Sequence, residues 1–64
     1  ARVGIGTAIP SAELHVSGNG AMIIPSGTTT QRPTNPIIGM IRFNTTTGRY
    51  EGWGSSGAWV DLSI

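Results

Sequence analysis

Apolar and polar positions alternate along several short stretches of this 64-residue chain, and glycine or proline closes each stretch. Val3, Ile5 and Thr7 alternate with Gly4 and Gly6, a period-two pattern that predicts a strand. One face of that strand carries side chains and the other is bare, as expected where a second backbone approaches closely. Pro10 fixes its own φ and holds Ile9 extended, so the strand ends there. At most one helical turn fits over residues 11–14. Residues 13–17 alternate again, with Leu14 and Val16 on one face and Glu13, His15 and Ser17 on the other. Residues 18–20 form a turn. The apolar run 21–24 predicts a short strand closed by Pro25, Ser26 and Gly27.

From Thr28 to Pro36 the chain is polar and irregular. Arg32 precedes Pro33 and Asn35 precedes Pro36, which favours extended, polyproline-like backbone. Three five-residue strand candidates follow, at 40–44, 49–53 and 58–62. Two four-residue loops, 45–48 and 54–57, join them, each with glycine last. The expected fold is all-β: an extended N-terminal arm with short strands at 1–27, a Thr/Pro-rich connection at 28–39 and a three-stranded antiparallel meander at 40–64.

The simplest register sets Asn44 opposite Arg49, which brings Phe43 to Tyr50 and Arg42 to Glu51. Both are favourable cross-strand pairs, about 0.2–1 kcal/mol each. In the second hairpin, Trp53 opposite Ala58 sets Trp59 over Gly52, a ring covering a strand glycine. That register sends Trp53 and Trp59 to opposite faces. A sheet of three short strands still needs something to pack against its second face.

Composition sharpens this point. Nineteen residues are large and apolar, yet a chain of this length buries only about 60% of its unfolded surface. No cysteine is present for a disulfide or a thiolate zinc site. Association with further copies is the remaining way to complete a core. Charged residues are 11% of the chain, against about 25% in an ordinary soluble domain. The net charge of +1 and four dispersed arginines offer no basic patch for nucleic acid. The longest apolar run is four residues, so no membrane insertion is expected. The first residue is Ala and no signal-peptide pattern opens the chain, so it reads as a piece of something longer.

Candidate chemistry is sparse. His15, Asp61 and a serine could be drawn as a triad, but no spacing supports it and no G-x-S-x-G elbow occurs. Glu13 and His15 share a strand face and offer at most two metal ligands. Gly4-x-Gly6 lacks the third glycine and the helix of a dinucleotide site. No catalytic residue, cofactor or metal is therefore expected. Asn44-Thr45-Thr46 matches a glycosylation sequon, although Asn is also a common turn residue there. The four large aromatics, Phe43, Tyr50, Trp53 and Trp59, all fall in the meander. They read as core or subunit contact, and alternatively as a surface patch that stacks on a glycan.

Two stretches resemble a known family. Val3-Gly-Ile-Gly-Thr7, Pro10, Leu14-His-Val16 and Gly18 resemble the VGIGT-x-x-P-x-x-x-LHV-x-G segment of bacteriophage tail fibres and related appendage proteins. Thr30-Gln-Arg-Pro33, then Gly39-Met-Ile-Arg-Phe-Asn-Thr-Thr-Thr-Gly-Arg-Tyr-Glu-Gly52 and Ala58-Trp59, resemble the QRP…G-x-IRYNT…FEGY…W module of the same fibres. Trp53 stands where those modules often carry Tyr. The resemblance implies a homotrimeric, elongated virion appendage that supports host attachment, with no catalytic role in this part. It implies other tail or fibre proteins as partners, and a glycan or protein on the host surface. It places the chain on a virion or, as related motifs occur in bacterial surface proteins and contractile-injection particles, on a bacterial cell surface. A self-cleaving chaperone domain would lie beyond these residues.

By the resemblance, Ile5, Leu14 and Val16 approach a threefold axis or a neighbouring chain. The full set of expected subunit contacts is Val3, Ile5, Leu14, Val16, Ile23, Ile41, Phe43, Tyr50 and Trp59. The alternative reading is a receptor- or glycan-binding tip with Trp53 and Trp59 as its ligand patch.

Overall fold

The structure, a computed structural model, describes residues 1–62. The last two positions of the expected 40–64 segment lie outside the described residues. The chain is small and mostly β, with two sheets and no α-helix among the described residues. It is elongated, 38 × 23 × 21 Å.

The first sheet pairs β1 (Val3–Ile5) with β2 (Leu14–Val16) in parallel. The Val3 N–H donates to the Glu13 carbonyl at 2.7 Å, and the Ser17 N–H to the Ile5 carbonyl at 2.8 Å. Only residues 6–13 cross between the two strands, fewer than the dozen or so a parallel crossover usually takes. Three side-chain hydrogen bonds hold this tight path. The Ile9 N–H donates to Thr7 Oγ1, the Ser11 N–H to His15 Nδ1, and Arg2 Nη1 to the Pro10 carbonyl. Residues 11–13 bend without forming the helical turn that would have fitted there.

The bare glycine face does meet a backbone, within the same chain. Gly6 turns out of β1 with φ 78°, and a Cβ there would run into the Ser17 carbonyl oxygen. Gly6→Ala is therefore expected to open the β1–β2 pair. It adds about 1–2 kcal/mol of left-handed strain to a clash with backbone that cannot move aside. Hydrogen exchange should show it: the Ser17 amide loses protection, while the Phe43 and Trp53 amides in the second sheet keep theirs. Unchanged exchange at Ser17 would refute this.

The second sheet has strand order β3 (Ser26–Gly27), β4 (Ile41–Asn44), β5 (Arg49–Trp53) and β6 (Trp59–Asp61). β3 runs parallel to β4; the other pairs are antiparallel. The sheet is thus four-stranded and mixed. The strand expected at 21–24 does not form, and Ser26–Gly27, expected to close it, takes the edge position instead. The Phe43 N–H donates to the Pro25 carbonyl at 2.9 Å, and the Thr45 N–H to the Gly27 carbonyl at 2.8 Å. Pro25 lacks an N–H, but an edge needs only its carbonyl.

The β4–β5 register is the expected one: Arg42 with Glu51, Phe43 with Tyr50, Asn44 with Arg49. Gly48, at φ 70°, closes the four-residue loop and donates to the Asn44 carbonyl. The β5–β6 register differs from expectation by one residue. Trp53 faces Trp59, Gly52 faces Val60 and Glu51 faces Asp61. The loop is therefore five residues, 54–58, with Gly57 at φ 79° inside it. A shift of one reverses every side chain in β6. Leu62, rather than Trp59, covers Gly52, with its Cδ1 3.2 Å from where a Cβ would stand.

Alternation along these strands gives the sheet two unlike faces. One carries Arg42, Asn44, Arg49, Glu51, Asp61 and both tryptophans. The other carries Ile41, Phe43, Tyr50, Val60 and Leu62 around Gly52. The segment after β3 folds over the polar face. Thr28 begins a single 3-10 turn at Thr29–Gln31, where a wholly irregular connection was expected. The Thr28 N–H donates to Gln31 Oε1 at 2.9 Å. Arg32 leaves the turn extended, φ −58° and ψ 143°, as a residue before proline should.

Candidate functional site

The polar face is the interior of the chain. Among the described residues the buried ones are Asn44, Glu51 and Arg42, at 0%, 4% and 7% exposure, and no hydrophobic side chain is buried. Glu51 sits mid-strand on β5 and gathers the cluster. Arg32 grips its carboxylate with two bonds, Nε to Oε2 at 3.0 Å and Nη2 to Oε1 at 2.7 Å. Arg42, its cross-strand neighbour, donates Nη1 to Oε2 at 2.5 Å, and Asn44 donates Nδ2 to Oε1 at 3.2 Å. Arg42 also donates to the Thr28 carbonyl. A side chain at Gly27 would collide with this arrangement, because a Cβ there would stand 2.8 Å from Arg42 Nη2.

Asn44 ties three segments together. Its Nδ2 donates to Thr29 Oγ1 at 3.0 Å, and its Oδ1 accepts the Thr46 N–H at 2.9 Å and the Thr47 N–H at 3.3 Å. This is the turn role of Asn44, and its amide is fully buried. Among the described residues, no buried side-chain nitrogen or oxygen lacks a partner. Satisfaction of this kind is what lets charge remain inside.

The Glu51 carboxyl is held at about 2, against an ordinary 4.5. The Arg32 hydrogen bond lowers it most. Burial acts the other way, and the bonds from Arg42 and Asn44 and the Arg32 charge lower it further. The same Arg32–Glu51 bond raises the Arg32 guanidinium, so both remain ionised.

Trp59 lies beside this cluster, with the Arg32 and Arg42 guanidinium carbons 5.8 and 6.0 Å from its ring centroid. Its ring meets Trp53 edge to face at 5.6 Å. The two tryptophans share one face, contrary to the register expected from sequence. Trp59 therefore lies on the opposite side of the sheet from Ile41, Phe43 and Tyr50, with which the sequence groups it.

Those three residues share the other face with Val60 and Leu62. Ile41, Tyr50, Val60 and Leu62 are about half exposed, and Phe43 packs edge to face on Tyr50 at 4.9 Å. Val3, Ile5, Leu14 and Val16 line one face of the β1–β2 pair. All four are exposed, whereas His15 on the reverse face is less so. Ile23 stands in no strand and is 97% exposed. The structure thus brings the expected contact residues into two apolar faces, leaves Ile23 apart and moves Trp59 to the polar side.

Sequence reasoning missed Arg32 and Asn44 as partners of Glu51, Thr29 as the partner of Asn44, and Val60 and Leu62 as part of the apolar face. For the second group the signal was the register itself. For Arg32 there was none, since it lies 19 residues from Glu51 in a stretch without periodicity. Among the described residues no group of three His, Asp or Glu side chains could hold a metal ion, and no helix is long and apolar enough to cross a membrane. Comparison with family models, with curated proteins and with solved structures returned no match.

Proposed function

We propose that this chain is a structural module of an elongated homotrimeric fibre, a phage tail fibre or similar virion appendage, which supports attachment to a host. One observation carries the reading. Among the described residues thirteen large hydrophobic side chains are exposed, from 46% at Val16 and Val60 to 97% at Ile23, while the buried positions are polar. A single chain of this kind lacks the apolar core that ordinarily offsets the entropy of ordering. Further copies would supply that core. The motif resemblance and the elongated shape support the same reading. In it the chain is a scaffold and not an enzyme, and its other partners are neighbouring fibre proteins. Trp53 and Trp59, edge to face with two guanidinium groups beside Trp59, support a packing role rather than an open glycan platform.

Light scattering on the purified chain at micromolar concentration tests the proposal. The expected mass is three times the 6.6 kDa of one chain. A cooperatively folded monomer would overturn it.

A further inference from the structure

The geometry points to the Ile41–Phe43–Tyr50–Val60–Leu62 face of the second sheet as the surface on which a second copy of this chain seats. This deepens the reading above and rests on it, naming the surface through which copies join. Area supports it first. A compact monomer of 6.6 kDa exposes about 3,900 Å², and this chain exposes 5032 Å². The excess, about 1,100 Å², is larger than the roughly 800 Å² that each partner contributes to a standard interface.

The location follows from what the opposite face already does. That face is closed by the segment 25–33 and fully bonded around Glu51. Its hydrogen bonds tie β4 and β5 to the segment above them, so the apolar face is left as the outer side of the sheet. Contiguous apolar surface of this kind marks an interaction site on a soluble chain. Two hollows indent it. Met22, Ile23, Ile24, Phe43 and Tyr50 line one; Ile41, Gly52, Val60 and Leu62 border the other. Side chains of a facing sheet can interdigitate there, as stacked sheets do at about 10 Å.

The occupant follows from charge. Every charged residue of β4, β5 and β6 projects from the other face. A charged partner would find no complement here, whereas two like copies meet without bringing like charges together. Each copy also carries the same excess surface, so self-association removes it on both sides at once. The β1–β2 face is the weaker candidate, because its two strands are three residues each and no comparable cluster braces them.

The chain has no cysteine, so one introduced thiol reports its own surroundings. Val60→Cys is compared with Ser55→Cys in the 54–58 loop, each labelled with a maleimide at micromolar chain and again after dilution. Alongside, the mass of Val60→Glu is measured by light scattering. Support is an oligomeric parent chain, a thiol at position 60 labelled at least tenfold more slowly than one at position 55, that protection lost on dilution, and a smaller mass for Val60→Glu. An oligomer in which the two thiols label equally fast overturns this surface and leaves the fibre reading standing. A folded monomer overturns both. The thiol comparison holds even if Val60→Glu fails to fold.

Discussion

Glu51→Ala is expected to remove a large fraction of the stability of the second sheet. The carboxylate accepts two bonds from Arg32, one from Arg42 and one from Asn44. Alanine leaves Arg42, 7% exposed, as a buried cation with no counter-charge. Removing one member of a buried pair costs about 3–5 kcal/mol, because the charge left behind is neither solvated nor paired. The total stability of a 64-residue chain is of similar size, about 3–10 kcal/mol. A fall in Tm of about 15–30 °C follows, read by far-UV circular dichroism at fixed chain concentration. Glu51→Gln keeps the volume and the acceptor oxygen and should lose less. Arg42→Met combined with Glu51→Leu should recover most of the loss, since an apolar pair of similar volume can replace a buried ion pair. A Tm for Glu51→Ala within a few degrees of the parent would show that the cluster does not hold the sheet.

The second large effect is on acid stability. Glu51 titrates near 4.5 when unfolded and at about 2 when folded, chiefly because Arg32 donates to it. A lowered folded value means that the unfolded chain takes up the proton first as pH falls. The stabilisation is therefore fully present above about pH 4.5 and is lost as the pH drops from there toward 2. Its upper bound is on the order of 3 kcal/mol, because solvent around the part-exposed Arg32 guanidinium screens the pair. The urea midpoint should stay level from pH 7 to about 5 and then decline steeply. In Glu51→Gln most of that decline should vanish, although the whole curve lies lower. The same acid slope in variant and parent would assign the effect to other carboxyls.

Much of the β4–β5 hairpin is legible in the sequence. Phe43 with Tyr50 and Arg42 with Glu51 are good partners in one register only, and the four-residue loop ending in Gly48 enforces it. The second hairpin is different. Trp59 over Gly52 and Trp59 beside Trp53 are both sensible local pairings, so the chain around residues 53–59 does not choose between them. The choice falls on the register that brings the Trp59 ring beside Arg32 and Arg42, and Arg32 arrives from a segment remote in sequence. The strand at Ser26–Gly27 was illegible for a related reason. Apolarity favoured 21–24, but the interior of this chain is polar. The strand is held by backbone bonds from Phe43 and Thr45 to the Pro25 and Gly27 carbonyls, with Gly27 leaving room for the Arg42 and Gln31 side-chain ends.

The sequence alone therefore determined the β class, the alternation that sorts each strand into two faces, and the shortage of a core for one chain. Those are properties of period, turn residues and composition, which act over a few residues at a time. The tertiary structure decided which face is inside. It closed the charged face around Glu51 and left the apolar one outward. That outcome depends on Arg32 and Thr29 reaching across the sheet, contacts whose energy comes from groups far apart in sequence and so leaves no local pattern.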